Sequence, residues 1–227
     1  MSQIARNLEA VRRRITAAAR RAGRDPAAVK LVAVSKTVDL ERIKAARDAG
    51  QQIFGENYLQ EARGKIEALG PGACWHFIGH LQTNKAKAAV ELFHLIHSVD
   101  RLHLAQALEK AAAGQEKVQE ILLQVNLAGE ASKSGAPPEA GPALLREIAR
   151  LPHLRVVGLM TMPPWFDDPE AVRPYFRGLR ELRERLLQLD LGPLPELSMG
   201  MSGDFEAAIE EGATLVRIGT AIFGRRE

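Results

Sequence analysis

The stretch LSMGMSGDFEAAIEEGATLVRIGTAIFG, residues 197–224, decides the fold. A short apolar run, a glycine-rich turn, a helical pattern, a second apolar run and a second glycine turn follow one another with no polar spacer. Strands separated by helices in this way belong to a parallel sheet, whose neighbours are reached only through crossovers. The same alternation runs back to the N-terminus. Strands are predicted near 31–35, 52–55, 75–79, 94–98, 120–126, 155–161, 196–199 and 214–218. Helical patterns lie near 39–49, 57–69, 82–91, 101–113, 137–150, 168–190 and 203–211, several stopped by Gly50, Gly70, Gly114 or Gly212.

Eight strands are the number that closes a (β/α)8 barrel, and 227 residues fit that fold as one domain, 1–227. Ile4, Leu8, Val11 and Ile15 recur at helical spacing ahead of the first strand. The expected fold is therefore α/β, a single (β/α)8 TIM barrel with an extra N-terminal helix. A doubly wound open sheet is the competitor, but no GxGxxG follows the first strand to favour a dinucleotide site.

Bulk properties exclude several classes. Lys+Arg of 31 against Asp+Glu of 28 gives a formal charge of +3, with the signs interspersed, so no nucleic-acid partner is expected. The densest basic cluster, Arg12–Arg14 with Arg20 and Arg21, reads as the solvated face of the N-terminal helix. The single cysteine, Cys74, rules out an internal disulfide and suits a reducing compartment. No signal-like N-terminus and no long apolar span occur, so a cytoplasmic protein away from the membrane is expected. The six histidines form no ligand pattern, His76 reads as packed, and no metal is expected.

In a barrel the site is built at the C-terminal ends of the strands. There stand Lys36, Glu56, Asn57, His80, Ser98, Asn126, Met160, Thr161, the loop Ser198–Ser202, and Arg217 with Gly219 and Thr220. Taken singly, Asn57, Ser98 and Asn126 read equally as helix caps or loop braces, and His80 as a rim histidine. Ser202 fits an N-cap. Free amides at the same turns also suit an anion, and the loops after strands seven and eight are where barrels hold phosphate. The loop AGEASKSGAPP, 128–138, and WFDDPEAVRP, after strand six, share that rim.

Strand one adjoins strand eight in a closed barrel, so Lys36 faces the phosphate loops. A phosphorylated aldehyde held as a Schiff base fits that pair, because a lysine amine condenses with a carbonyl once burial or a nearby cation frees its lone pair. Arg217 is either that cation or a group facing a cofactor ring.

AVSKT around Lys36, FGENY at 54–58, WHFIGHLQTNK at 75–85, GLMTM at 158–162, LSMGMSGDFEAAIEEGAT at 197–214 and VRIGTAIFG at 216–224 closely resemble the pyridoxal phosphate homeostasis proteins (the YggS/PROSC family), relatives of the alanine racemase N-terminal barrel. The likeness runs from about residue 4 to 224. It implies pyridoxal 5′-phosphate as cofactor, held as a Schiff base on Lys36. It implies phosphate ligands at Ser202, Gly219 and Thr220 with Gly200 and Met201 in the same loop, Arg217 at the pyridine nitrogen, and Asn57, Met160 and Ser198 around the ring. The family's ExxKxG loop is present as Glu130, Lys133 and Gly135.

An arginine at the pyridine nitrogen, donor-only and permanently charged, weakens the ring as an electron sink. Racemisation also needs an acid/base group on each face of the substrate carbon. In the racemases the second is a tyrosine from an additional domain of a partner subunit, whereas this chain ends just after strand eight and its tyrosines, Tyr58 and Tyr175, fall on helices. A non-catalytic carrier serving vitamin B6 and amino-acid homeostasis is therefore expected, as a monomer, passing cofactor to apo forms of pyridoxal phosphate enzymes. Lys133, in a flexible loop, is the expected transient amine for transfer. A racemase-like enzyme and a class I aldolase are the alternatives.

Overall fold

The computed structural model of the chain describes residues 2–130 and 133–224, so Ala131 and Ser132 of the predicted loop 128–138, Met1 and residues 225–227 of the predicted domain lie outside the described residues. Eight strands form, β1 (Lys30–Val34), β2 (Ile53–Glu56), β3 (Cys74–Phe77), β4 (Leu95–Val99), β5 (Gln119–Val125), β6 (Leu154–Thr161), β7 (Glu196–Ser198) and β8 (Leu215–Ile218). They close into a barrel in chain order, every neighbour parallel. Closure sets Val32 of β1 beside Arg217 of β8 and Ala33 beside Ile218.

The helices are α1 (Gln3–Arg21), α2 (Leu40–Asp48), α3 (Leu59–Leu69), α4 (Ala86–Leu92), α5 (Leu102–Ala113), α6 (Gly141–Ile148), α7 (Arg173–Leu187), α8 (Phe205–Glu210) and α9 (Thr220–Phe223). The helix expected over 168–190 is shorter at both ends. At its start, the Asp168 carboxylate accepts from the Glu170 N–H at 2.9 Å and the Asp168 carbonyl from the Ala171 N–H at 3.1 Å, a local turn that delays the helix. The one-turn α9 was too short to show as a period. Gly50 ends α2 at φ +81, its N–H bonded to the Arg47 carbonyl and the Gln51 N–H to that of Ala46. Gly114 does not take a left-handed cap, since its φ is −69 and Glu116, two residues on, reaches φ +51 instead.

Two apolar layers follow from the period of two along the strands, which β6 breaks where its pairing with β5 skips from Val156 to Gly158. Inside the barrel, Val32, Leu95, Leu122, Val157, Met160 and Leu215 pack together. Outside it, Phe54, Trp75, Ile96, Leu123, Leu159, Val216 and Ile218 face the helices. Strands β4 and β8 are buried at every position although they carry His97, Ser98 and Arg217. A large apolar side chain stabilises by about 2 kcal/mol when buried, while a buried polar group without a partner costs about 1–3 kcal/mol. His97 and Arg217 find such bonds, whereas the buried Ser98 Oγ has no partner among the described residues.

Helix α1 buries Ile4, Leu8, Val11 and Ile15 as expected. Its arginines do more than face water. Arg12 donates to the Ala49 carbonyl at 3.0 Å, Arg14 grips Glu206 with two nitrogens and lies 4.5 Å over the Phe205 ring, and Arg21 pairs with Glu210. The basic face binds α1 to α2 and α8, and only the closed barrel brings those acceptors within reach.

Candidate functional site

A cavity of about 410 Å³ opens at the C-terminal rim, lined among others by Val34, Lys36, Asn57, Ile78, Met201, Ser202, Gly203, Asp204, Arg217, Gly219 and Thr220. Its mouth is the β6–α7 loop, where Met162, Trp165, Phe166 and Asp167 stand, with Trp165 77% exposed. Seven of the predicted residues, Lys36, Asn57, Met201, Ser202, Arg217, Gly219 and Thr220, meet on this one surface. Met160, Ser198 and Gly200 are not among its lining residues. Met160 is 1% exposed within the inner apolar layer, and Ser198 lies fully buried behind Arg217. Gly200 shapes the loop: its φ is +90, and a Cβ there would stand 2.6 Å from the Ala208 Cβ.

Lys36 sits in a turn closed by the Val38 N–H on the Ser35 carbonyl at 3.0 Å, with Thr37 at φ +61, a conformation that strains a β-branched residue. A buried ion cluster holds the turn from below. The Lys65 ammonium donates to the Ser35 carbonyl at 2.6 Å, to Glu56 Oε1 at 2.8 Å and to Glu61 Oε1 at 2.5 Å. Ser35 Oγ donates to Glu56 Oε1 at 2.6 Å, and the Thr37 N–H to Glu61 Oε1 at 2.5 Å. Burial raises the Glu56 carboxyl pKa, against the lowering by its Lys65 and Ser35 hydrogen bonds. Sequence reasoning missed Lys65, because at its place in α3 it reads as an ordinary solvated lysine.

The loops after β7 and β8 are tied together at the cavity. The Met201 carbonyl accepts from the Asp204 and Phe205 N–H groups, and the Gly219 carbonyl from those of Ile222 and Phe223. Among the described residues this leaves the Ser202, Gly203, Gly219 and Thr220 amides, all on lining residues, to meet an anion. Ser202 does not cap α8, whose N-cap is Asp204; its hydroxyl accepts from the Ala221 N–H at 3.4 Å. Asp204, which the sequence did not mark, accepts from the Met201 N–H at 2.6 Å, and burial raises its carboxyl pKa.

At the cavity floor the Arg217 guanidinium donates to Ser198 Oγ at 2.5 Å and to the Thr161 carbonyl at 2.9 Å. Burial lowers its pKa to about 10, which leaves it a cation at neutral pH. Behind Ser198, His97 bonds on to His76, so His76 is more than packed.

Asn57 does not cap α3, whose first turn follows Tyr58 with no side-chain cap. It turns to the cavity, and its buried Oδ1 is among the atoms with no protein partner. Asn126 is a loop brace, donating to the carbonyls of Glu130 and Lys133 at 2.9 and 3.3 Å. The predicted flexible loop is tethered in its described part: Gln124 donates to the Ser134 carbonyl, Ser134 bonds His80, and Lys133 pairs with Glu130 at 3.3 Å. With Asn57, Ile78, Gly79, His80, Gln124, Ser134 and Met162, Lys133 lines a side chamber of about 260 Å³ that shares Asn57, Ile78 and Met162 with the main cavity.

Residues 6–227 match the family model described as alanine racemase, N-terminal domain. A protein of Pseudomonas aeruginosa named pyridoxal phosphate homeostasis protein is 52% identical over 229 residues, covering 100% of this chain and 97% of its own. The chain belongs to this family, the pyridoxal phosphate homeostasis proteins of the alanine racemase N-terminal fold. Another member, from Aquifex aeolicus, is 49% identical over 97% of both chains. The solved structure of PipY from Synechococcus elongatus PCC7942, described as having pyridoxal phosphate bound, is 37% identical with a TM-score of 0.88, covering 98% of this chain and 100% of its own. An alanine racemase of Clostridium difficile shares the fold at 15% identity and a TM-score of 0.78, over 100% of this chain and 57% of its own.

The site's own chemistry fits such a cofactor. It combines a lysine, spare amides on two adjoining loops, a buried donor-only cation at the floor and the partnerless Asn57 Oδ1. That donor set fits a phosphorylated aromatic aldehyde. Among the described residues no group of three or more histidine, cysteine or acidic side chains could hold a metal ion, and no helix is long and apolar enough to cross a membrane.

Proposed function

We propose that this chain is a carrier of pyridoxal 5′-phosphate serving intracellular vitamin B6 and amino-acid homeostasis, with Lys36 as its covalent anchor. One observation carries the reading: Lys36, the β7 and β8 loops and Arg217 line a single cavity. The names of the relatives and the cofactor bound to PipY support it. When bound, the cofactor supplies an aldehyde for a lysine amine and an electron-withdrawing ring.

Within this reading, Ser202, Gly203, Gly219 and Thr220 hold the phosphate through amides and hydroxyls. Arg217 meets the ring nitrogen, and Asn57 and Met201 flank the ring. Ser198 acts through Arg217, while Met160 and Gly200 support the wall and the loop. The protein is a monomer in the cytoplasm that delivers cofactor to apoenzymes. Lys133, one chamber away from Lys36, takes the cofactor on its way out.

The groups that line the main cavity support non-catalytic carriage. Racemisation needs a second acid or base opposite the lysine. Among the described lining residues the titratable groups besides Lys36 are Asp167, Asp204 and Arg217. Asp167 is exposed, Asp204 holds the Met201 N–H through Oδ1, and Arg217 is a donor only.

The test is borohydride reduction of the cofactor-loaded protein followed by peptide mapping. The mass should sit on the Lys36 peptide and vanish in Lys36→Ala; a label on another lysine, or one that survives the substitution, overturns the assignment. Amino acids incubated in heavy water with the loaded protein should exchange their α-protons no faster than with free cofactor. Lys133→Ala should slow transfer to an apoenzyme, and equal rates would remove its role.

A further inference from the structure

The barrel interior holds a polar chain that runs away from the cavity. Arg217 of β8, Ser198 of β7, His97 of β4, His76 of β3 and Cys74 at the start of β3 are joined in that order, with spacings of 2.5 Å, 2.9 Å, 3.0 Å and 3.5 Å. The first four are 4%, 0%, 0% and 5% exposed. The chain crosses the barrel from β7 to β4 between residues 101 apart in sequence.

Its proton order follows from the inventory of donors. A guanidinium only donates, so Ser198 Oγ is the acceptor of that bond. The single hydroxyl proton of Ser198 then needs an acceptor, and His97 Nδ1 supplies one. His97 then carries its proton on Nε2 and donates to His76 Nδ1, and His76 donates from Nε2 to the Cys74 sulfur. The reverse order would leave the Ser198 hydroxyl proton, in a fully buried place, without an acceptor among the described residues, which burial penalises.

We propose that His97 and His76 are positioning residues, which with Ser198 form a one-directional hydrogen-bond chain set from the Arg217 end and fix the guanidinium plane at the cavity floor. The surroundings agree with two neutral rings. Burial, then His94 and Lys30, lowers the His76 pKa to about 3; burial, then His76 and Arg217, lowers that of His97 well below its ordinary value. Burial raises the Cys74 pKa, so the chain ends on a thiol. The consequence for a bound ring rests on the cofactor reading above; the chain itself does not.

The experiment is a long-range ¹H–¹⁵N correlation spectrum of uniformly ¹⁵N-labelled, cofactor-free protein near pH 7, which distinguishes the histidine tautomers. His76 and His97 should both appear as neutral Nε2–H rings. Nδ1–H rings, or an imidazolium at either position, overturn the chain. Directionality is tested from both ends: Cys74→Ala should leave both tautomers as they are, while Ser198→Ala should give mixed tautomers in both rings. The opposite pattern overturns the assignment of the Arg217 end as the origin. For the positioning role, His97→Phe and Ser198→Ala are loaded with pyridoxal 5′-phosphate. Each should shift the visible band and raise the dissociation constant about tenfold, equivalent to about 1.4 kcal/mol. An unshifted band with affinity within about twofold of wild type overturns that role. Failure of the wild type to take cofactor at all would sink the carrier reading and leave the tautomer result standing.

Discussion

Lys65→Met tests the cluster beneath Lys36. The substitution keeps most of the side chain's length and apolar volume and removes an ammonium that makes three bonds, to the Ser35 carbonyl and to Glu56 and Glu61. Glu61 retains 27% side-chain exposure and can turn toward water, so its loss is small. Glu56 is fully buried and keeps only Ser35 Oγ, so the cost is dominated by an uncompensated interior carboxylate. Removing one partner of a buried pair costs about 3–5 kcal/mol. We expect about 3 kcal/mol near pH 8 by urea denaturation, or roughly 6–12 °C in melting temperature for a domain of this size.

The pH dependence has a definite sign. Burial already holds the folded-state pKa of Glu56 above its unfolded value, and loss of Lys65 raises it further. A raised carboxyl contributes its stability at low pH and loses it as pH rises through the folded pKa. The deficit of Lys65→Met relative to wild type should therefore be largest near pH 8 and shrink toward pH 5, and Glu56→Gln in the same chain should recover more than half of it. A loss below about 1 kcal/mol at pH 8, or one independent of pH, would refute the reasoning.

Gly200→Ala should cost about 2–4 kcal/mol, combining the strain of φ +90 with a Cβ 2.6 Å from Ala208; a melting temperature within a degree or two of wild type would contradict it. Asp204→Asn keeps an acceptor for the Met201 N–H while removing a negative charge from the anion loop, so titration with inorganic phosphate should show binding several-fold tighter; weaker binding would mean the carboxylate is itself needed. Glu211 is 6% exposed and faces Arg173, Arg177 and Arg180 at 3.8, 3.0 and 3.3 Å. Glu211→Ala should cost about 2 kcal/mol at low salt and less at high salt, because three like charges remain together, and salt-independent loss would point to packing instead.

The sequence by itself indicated the barrel and most of the residues at its rim. Eight apolar runs of strand length, each followed by a helical period, leave one economical closure, and the C-terminal strand ends then place Lys36, Asn57, Ser202, Arg217, Gly219 and Thr220 on one rim without any coordinates. Local pattern carries that information because a strand's period and its terminus are local properties. Tertiary structure alone decided what stands behind the rim. Lys65 becomes a buried cation because α3 packs against the Lys36 turn, and His76, His97 and Ser198 become a chain because closure faces β3 and β4 with β7 across the barrel. Those partners are 21 to 101 residues apart, and no periodicity of one strand encodes which inward side chain meets which on the far wall.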